Sequence, residues 1–223
     1  MLKIEELLEG KKAFLFDMDG TLINSMGIWH DIDLEYLAGF GIKLPDDLQK
    51  CLEGMCFHDT AVYIKNRFNL PVHTDEMEKA WNEMAHYKYA HDVSFKPGVE
   101  KLLNYAKSNG IKMAIGTSNS RYLYEAVSDS LGFERYFDCV ITGDETKKSK
   151  PDPEIYILLA NKLNVNPEEC LVFEDTVAGL NAGLNAGMEI CGIYDIYSDY
   201  CTEEKRNISG FFIDDYEKII YSE

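Results

Sequence analysis

Positive charge is scarce in this chain of 223 residues, where 22 lysines and arginines face 39 aspartates and glutamates for a formal net charge of −17. A broad nucleic-acid surface needs clustered cations to displace counterions from phosphates, so the balance argues against that class of partner. The same deficit gives no long-range steering of an anionic substrate. Any phosphate site must therefore be made positive locally, by a metal or by one particular lysine. Long apolar runs are missing too. None approaches the length of a membrane span, and the opening MLKIEELLEGKKAFLF carries acids where a secretory signal would be apolar. The six cysteines, at positions 51, 56, 139, 170, 191 and 201, include no C-x-x-C pair and no dense spacing. They read as reduced thiols. The five histidines show no H-x-x-x-H spacing of the zinc-binding kind and read mostly as surface residues. Low-complexity segments and solenoid-scale repeats are absent. The expectation is a soluble, cytoplasmic protein that binds neither nucleic acid nor membrane.

What is present is enough apolar residue, 46% of the chain, to build a substantial core in one domain or in one domain carrying an insert. Short apolar runs predict buried strands at Ala13–Phe16, Met113–Gly116, Cys139–Thr142, Cys170–Phe173, Ile190–Ile193 and Phe211–Ile213. Helical patterns alternate with them, as in PGVEKLLNYAKSNG, where Val99, Leu102, Leu103 and Ala106 share a face and Gly110 marks a stop. Such alternation predicts an α/β fold, a doubly wound parallel sheet with helices on both faces. About a hundred residues between the first two strands break the rhythm, too many for one crossover. They are amphipathic: Ile28, Trp29, Ile32, Tyr36, Leu37 and Phe40 fall on one face, and Met77, Ala80, Trp81 and Met84 on another. We therefore expect a sheet-bearing core over residues 1–23 and 94–223 and an inserted helical domain over residues 24–93. Gly179, Gly183 and Gly187 recur within a predicted helix, which fits close packing of that helix on the sheet. The acidic end DYEKIIYSE reads as a solvated final helix or tail.

The stretch AFLFDMDGTLI follows an apolar run with two carboxylates and a glycine. Taken alone, it is either an active site or a strand running into an ordinary polar turn. The other strand ends bear on the choice, because open parallel sheets bind ligands beyond the carboxyl ends of their strands. There the chain places Asp17 and Asp19, then Thr117-Ser118-Asn119, then a loop with Lys147, Lys148 and Lys150, then Glu174-Asp175. Four carboxylates, a hydroxyl and a lysine on one edge point to phosphoryl transfer assisted by Mg²⁺, which prefers hard oxygen ligands. Asp17 could attack phosphorus. A regular strand would put Asp19 on the same face as Asp17, whereas a bend there would free it for acid/base work. Lys150 and the Thr117 hydroxyl could hold phosphoryl oxygens, while Lys147 and Lys148 read as ordinary loop lysines.

DMDGT after an apolar strand, GTSNS after the second, KSKPDPEIY, and VFEDTVAGLNAGLNAG together resemble the four motifs of the haloacid-dehalogenase superfamily. The helical insert resembles that family's C1 cap, as in β-phosphoglucomutase and phosphoglycolate-phosphatase relatives. The resemblance implies that Asp17 is nucleophile and metal ligand, and that Asp19 is acid/base with its backbone carbonyl on the metal. It implies that Thr117 and Lys150 bind the phosphoryl group, and that Asp175 and Glu174 hold Mg²⁺, Glu174 directly or through water. Gly20 supplies the turn and Thr21 a polar contact within it, and these stand with Ser118, Asn119, Arg121 and His58 as candidate substrate contacts.

Among the reactions of this family, dehalogenation needs no proton donor, so Asp19 speaks against it. β-Phosphoglucomutase carries a cap arginine and lysine where this chain has Phe57 and Glu53. That favours hydrolysis of a small phosphomonoester, such as a sugar phosphate, and Arg121 keeps the mutase as the alternative. Trp29, Glu53, Met55, Phe57 and His58 are cap candidates for substrate selection, each equally readable as packing or solvated surface. A catalytically silent binding module is the reading from a different class. It would be expected to have lost Asp17, Asp19, Lys150 or Asp175, and all four are kept. The expected partner is a small phosphorylated metabolite, and the expected state a monomer or weak homodimer.

Overall fold

The run Ala13–Phe16 is buried at every position, as a strand covered on both faces must be. A computed structural model, which describes residues 2–45, 47–52 and 57–221, places it at the centre of one six-stranded parallel sheet. The strands are β1 (Ala13–Phe16), β2 (Lys112–Gly116), β3 (Cys139–Ile141), β4 (Cys170–Glu174), β5 (Glu189–Ile193) and β6 (Phe211–Ile213). Their spatial order is β3-β2-β1-β4-β5-β6, and every neighbouring pair is parallel. The chain thus winds outward from β1 in both directions. The α/β doubly wound class read from the sequence is the fold observed.

The helices are α1 (Ile4–Leu8), α2 (Met26–Ala38), α3 (Leu48–Leu52), α4 (Phe57–Phe68), α5 (Thr74–His91), α6 (Val99–Ser108), α7 (Arg121–Leu131), α8 (Glu154–Leu163), α9 (Val177–Asn185) and α10 (Thr202–Ile208). Alternate residues of β1 serve different halves of the core. Ala13 and Leu15 pack with Ile155, Leu159 and Leu163 of α8 and with Leu180 of α9. Phe14 and Phe16 point the other way, where Phe16 stacks on Phe173 at 4.5 Å and Phe14 meets the same ring edge-on at 5.0 Å. Burial of each such ring contributes about 2–3 kcal/mol, before any gain from ring geometry.

The chain divides into two compact units, residues 1–25 with 93–223, and residues 26–92. In the second unit α5 buries Met77, Trp81, Ala85 and Tyr89, a stripe with a step of four. Trp81 meets Tyr36 at 5.6 Å and Phe57 at 5.7 Å, and Phe57 meets Trp29 at 5.8 Å. Lys88 closes onto Glu35 at 2.6 Å. Among the described residues no helix is long and apolar enough to cross a membrane.

Four local expectations need correction. Of the expected face on α5, Met77 and Trp81 are buried, but Ala80 and Met84 are only half-buried, because the stripe continues through Ala85 and Tyr89 instead. Phe40 lies past the end of α2 and is exposed. Gly187 lies beyond the end of α9 with φ +75°, ending the helix rather than packing it, whereas a Cβ on Gly183 would press on Ile190 and Val172. The C-terminal segment is no solvated tail. Ile220 bonds to the backbone of Leu2 and Ile4, and Tyr216 and Ile219 are buried.

Candidate active site

The first carboxylate belongs to the sheet. The Asp17 N–H donates to the Phe173 carbonyl at 3.0 Å, extending the β1–β4 ladder by one residue. The chain then turns sharply: the Leu22 and Ile23 N–H groups donate to the Met18 carbonyl at 2.9 and 3.1 Å, with Gly20 at φ +75°. This is the bend that separates the two aspartates. Asp17 faces the strand ends, while Asp19 accepts from Ser25 Oγ at 2.6 Å and from Asn119 Nδ2 at 2.7 Å.

Glu174 ends β4 and Asp175 follows it. One carboxylate oxygen from each of Asp17, Glu174 and Asp175 falls within a 4.8 Å cluster, and all three residues are buried. Lys150 clamps it. Its ammonium donates to Asp17 Oδ1 at 2.6 Å, Glu174 Oε1 at 2.5 Å and the Gly116 carbonyl at 3.0 Å. Tyr156 OH donates to the same Glu174 oxygen at 2.6 Å, and Thr176 Oγ1 to the other at 3.3 Å. Gly179 makes room, since a Cβ there would collide with the Glu174 carboxyl. The glycine of α9 thus serves the acid as well as the sheet packing.

Three buried acids with one lysine remain over-acidic. Burial first, against the opposing pull of Lys150 and aided by Glu174, Asp175 and Asp19, holds the Asp17 carboxyl well above the usual carboxylate range. Burial, then Glu174 and Asp195, push the Asp175 carboxyl up to about 7, with Lys96 and Lys205 pulling it down. For Lys150, burial works against the charge, but Asp17 and Glu174 outweigh it and keep the ammonium protonated above its ordinary range. Asp175 Oδ1 accepts from Thr21 Oγ1 at 3.2 Å, while Oδ2 is buried with no hydrogen-bond partner. A buried acceptor left open, in an all-oxygen cluster, fits a hard divalent cation.

Of the other residues singled out in the sequence, Thr117 is buried and directly follows Gly116, whose carbonyl Lys150 holds, and its Oγ1 accepts from the Asn119 N–H at 3.1 Å. Ser118 is exposed, and its backbone carbonyl fits closely against Gly143. Thr21 is fully buried against Asp175. Arg121 starts α7 with its guanidinium paired to Glu145 and lying over Tyr124. His58 belongs to the second unit, with Nδ1 2.7 Å from Glu78 Oε1. Glu53 and Met55 lie outside the described residues. Sequence reasoning missed Ser25, Tyr156, Lys96, Lys205 and Tyr216, whose OH donates to the Thr21 carbonyl at 3.1 Å. Only Tyr156 had a signal, as the last residue of KSKPDPEIY.

A doubly wound sheet with a lysine-clamped carboxylate cluster at its strand ends defines an α/β protein with an acidic site where open parallel sheets bind ligands. Comparison with known proteins narrows that class. The model of haloacid dehalogenase-like hydrolases matches residues 11–187. A phosphorylated carbohydrates phosphatase of Thermotoga maritima is 30% identical over 189 residues, 84% of this chain and 88% of the relative. The fructose-1-phosphate phosphatase YqaB of Escherichia coli is 29% identical over 185 residues, 82% of this chain and 96% of the relative. The crystal structure of a beta-phosphoglucomutase from Clostridium difficile superposes with a TM-score of 0.71 at 26% identity, covering 94% of this chain and 93% of that one. The chain belongs to the haloacid dehalogenase-like hydrolase family.

Proposed function

We propose that the chain is a Mg²⁺-dependent phosphatase that hydrolyses a small phosphomonoester through an aspartyl-phosphate on Asp17. The observation that carries this reading is the separation of the two aspartates: Asp17 sits in the clamped acid cluster, and Asp19 is held apart by Ser25 and Asn119. Asp17, Glu174 and Asp175, with the Asp19 carbonyl, would hold the ion. Bound Mg²⁺ would supply positive charge to offset that of the phosphoryl oxygens.

Asp17 attacks as the carboxylate, a form that burial opposes and that Lys150 at 2.6 Å, together with a bound cation, would favour. An Asp17 oxygen bonds to phosphorus while the bond from phosphorus to the ester oxygen breaks, and protonated Asp19 gives that oxygen its proton. Ionised Asp19 then takes a proton from water as the water oxygen attacks phosphorus. The bond to Asp17 breaks and phosphate leaves. Lys150 and Thr117 hold the phosphoryl oxygens, and Gly20 and Thr21 keep the turn and Asp175 in register. The second unit acts as the cap that selects substrate. The carbohydrate and fructose 1-phosphate activities named for two relatives support a sugar phosphate as substrate.

The mutase reading is supported by the likeness to a beta-phosphoglucomutase. It needs a free cation for a second phosphate, and the Arg121 guanidinium is engaged by Glu145. The test is phosphate release from a panel of small phosphomonoesters, with EDTA and Asp17→Asn as controls. Release abolished by both controls is expected. Conversion of β-glucose 1-phosphate in the presence of the bisphosphate, without release, would replace the proposal with the mutase.

A further inference from the structure

Two lysines outside the catalytic set hold backbone carbonyls of the segments that carry the acid cluster. Lys205 on α10 is fully buried, and its ammonium donates to three neutral oxygens: the Asp175 carbonyl at 2.8 Å, the Ile193 carbonyl at 3.0 Å and Ser198 Oγ at 2.8 Å. Ser198 Oγ in turn donates to the Asp175 carbonyl at 3.0 Å. A single carbonyl, that of a cluster acid, thus receives two buried donors. Lys96 acts on the facing loop. It donates to the Gly20 carbonyl and, at 3.0 Å, to the Tyr194 carbonyl, and it pairs with Asp195 Oδ2 at 2.7 Å. Both lysines end on the segment 193–198, which begins at the last residue of β5 and lies beyond residues 11–187 of the family match.

Burying an ammonium among neutral acceptors is costly, and an apolar side chain of similar length would fill the space with less penalty. A role confined to packing would not need a lysine. What the ammonium adds is direction: one hydrogen bond fixes the Asp175 carbonyl, and two more anchor that ammonium to Ile193 and to Ser198, which itself donates to the same carbonyl. That position matters because the Gly20 turn leaves no room beside the Asp175 carboxylate, so a small backbone shift would move its ligand oxygen out of the cluster.

We infer that Lys205, acting with Ser198, is a positioning residue for the metal cradle, setting the Asp175 carboxylate at ligand distance from Asp17 and Glu174. The inference rests on the Mg²⁺ reading proposed above. The charge of Lys205 by itself repels a cation, so removing only charge would tighten Mg²⁺ binding, whereas removing the positioning bonds weakens it. The two effects have opposite signs.

The experiment is a calorimetric Mg²⁺ titration of the unaltered protein and of Lys205→Met, with thermal unfolding of both and activity followed against Mg²⁺ concentration. Positioning predicts Mg²⁺ affinity lower by about tenfold or more in Lys205→Met, with activity recovered by raising Mg²⁺. Unchanged or tighter binding in a folded variant overturns it, whatever happens to the melting temperature. If Lys205→Met does not fold, Ser198→Ala carries the test. It removes one donor and leaves the ammonium, and about threefold weaker binding is expected, below the span usual for ligand-orienting groups. Unchanged binding there overturns the inference. No Mg²⁺ binding by the unaltered protein would sink the metal reading, and the inference with it.

Discussion

Gly20 packs so closely against Asp175 that a Cβ at position 20 would run into Oδ2 and Cγ of the carboxylate. The turn is also left-handed there, at φ +75°, so an L-side chain would be strained even in open space. Gly20→Ala is expected to destabilise the protein by about 1–3 kcal/mol and to abolish the rise in melting temperature that Mg²⁺ gives. Thermal unfolding with and without the ion measures both effects. An unchanged Mg²⁺ response would show that Asp175 is not a ligand.

Lys150 offsets two buried acids at once. Lys150→Met leaves Asp17 and Glu174 buried without their cation, a loss of about 3–5 kcal/mol. Denaturant unfolding at pH 7 should show it, along with loss of phosphatase activity. A variant as stable as the unaltered protein would mean that the clamp is not formed in solution.

Asp19 should matter in proportion to the basicity of the leaving group. Asp19→Asn removes the proton donor, so release from an alkyl phosphate should fall by about 10²–10⁴-fold. Release from p-nitrophenyl phosphate, whose leaving group departs without a proton, should fall far less in a single-turnover measurement of the first step. Equal losses on both substrates would remove Asp19 from acid catalysis.

The raised Asp175 carboxyl gives a pH dependence with a definite sign. In the metal-free protein its value of about 7 lies above the ordinary 3.8, so the folded state holds a proton that the unfolded chain releases. The contribution of this group to stability is full below pH 4 and is lost as pH rises through 7. Mg²⁺ competes with that proton. The gap between melting temperatures with and without Mg²⁺ should therefore widen from pH 6 to pH 8. A gap that stays constant would contradict proton–metal competition at Asp175.

Much of the architecture was legible in the chain. All six strands coincide with apolar runs: the central ones because a strand covered on both faces cannot hide a polar residue in its middle, the part-buried edge strands β3 and β6 because they still turn apolar residues to the core. The carboxylates of the cluster were legible for a related reason. They stand where such runs end, and an uncompensated charge has no other place in a buried sheet. The stripe on α5 was legible at Met77 and Trp81 but not in its continuation, since Ala80 and Met84 are apolar whether or not a neighbour covers them. Tyr216 was hidden in an acidic segment, and only its hydrogen bond to the Thr21 carbonyl shows that it braces the first loop.

The sequence by itself determined the strand–helix alternation, the presence of an inserted helical segment and the types of group gathered at the strand ends. These follow from local pattern and from the high cost of burying charge in a strand interior. Only the tertiary structure decided that Asp17 and Asp19 part company at Gly20, that Asp175 is left with one open oxygen, and that Lys96 and Lys205 converge on residues 193–198. Those facts depend on contacts between segments distant in the chain. No spacing or composition records them, because a lysine that solvates in one fold can bridge two carbonyls in another.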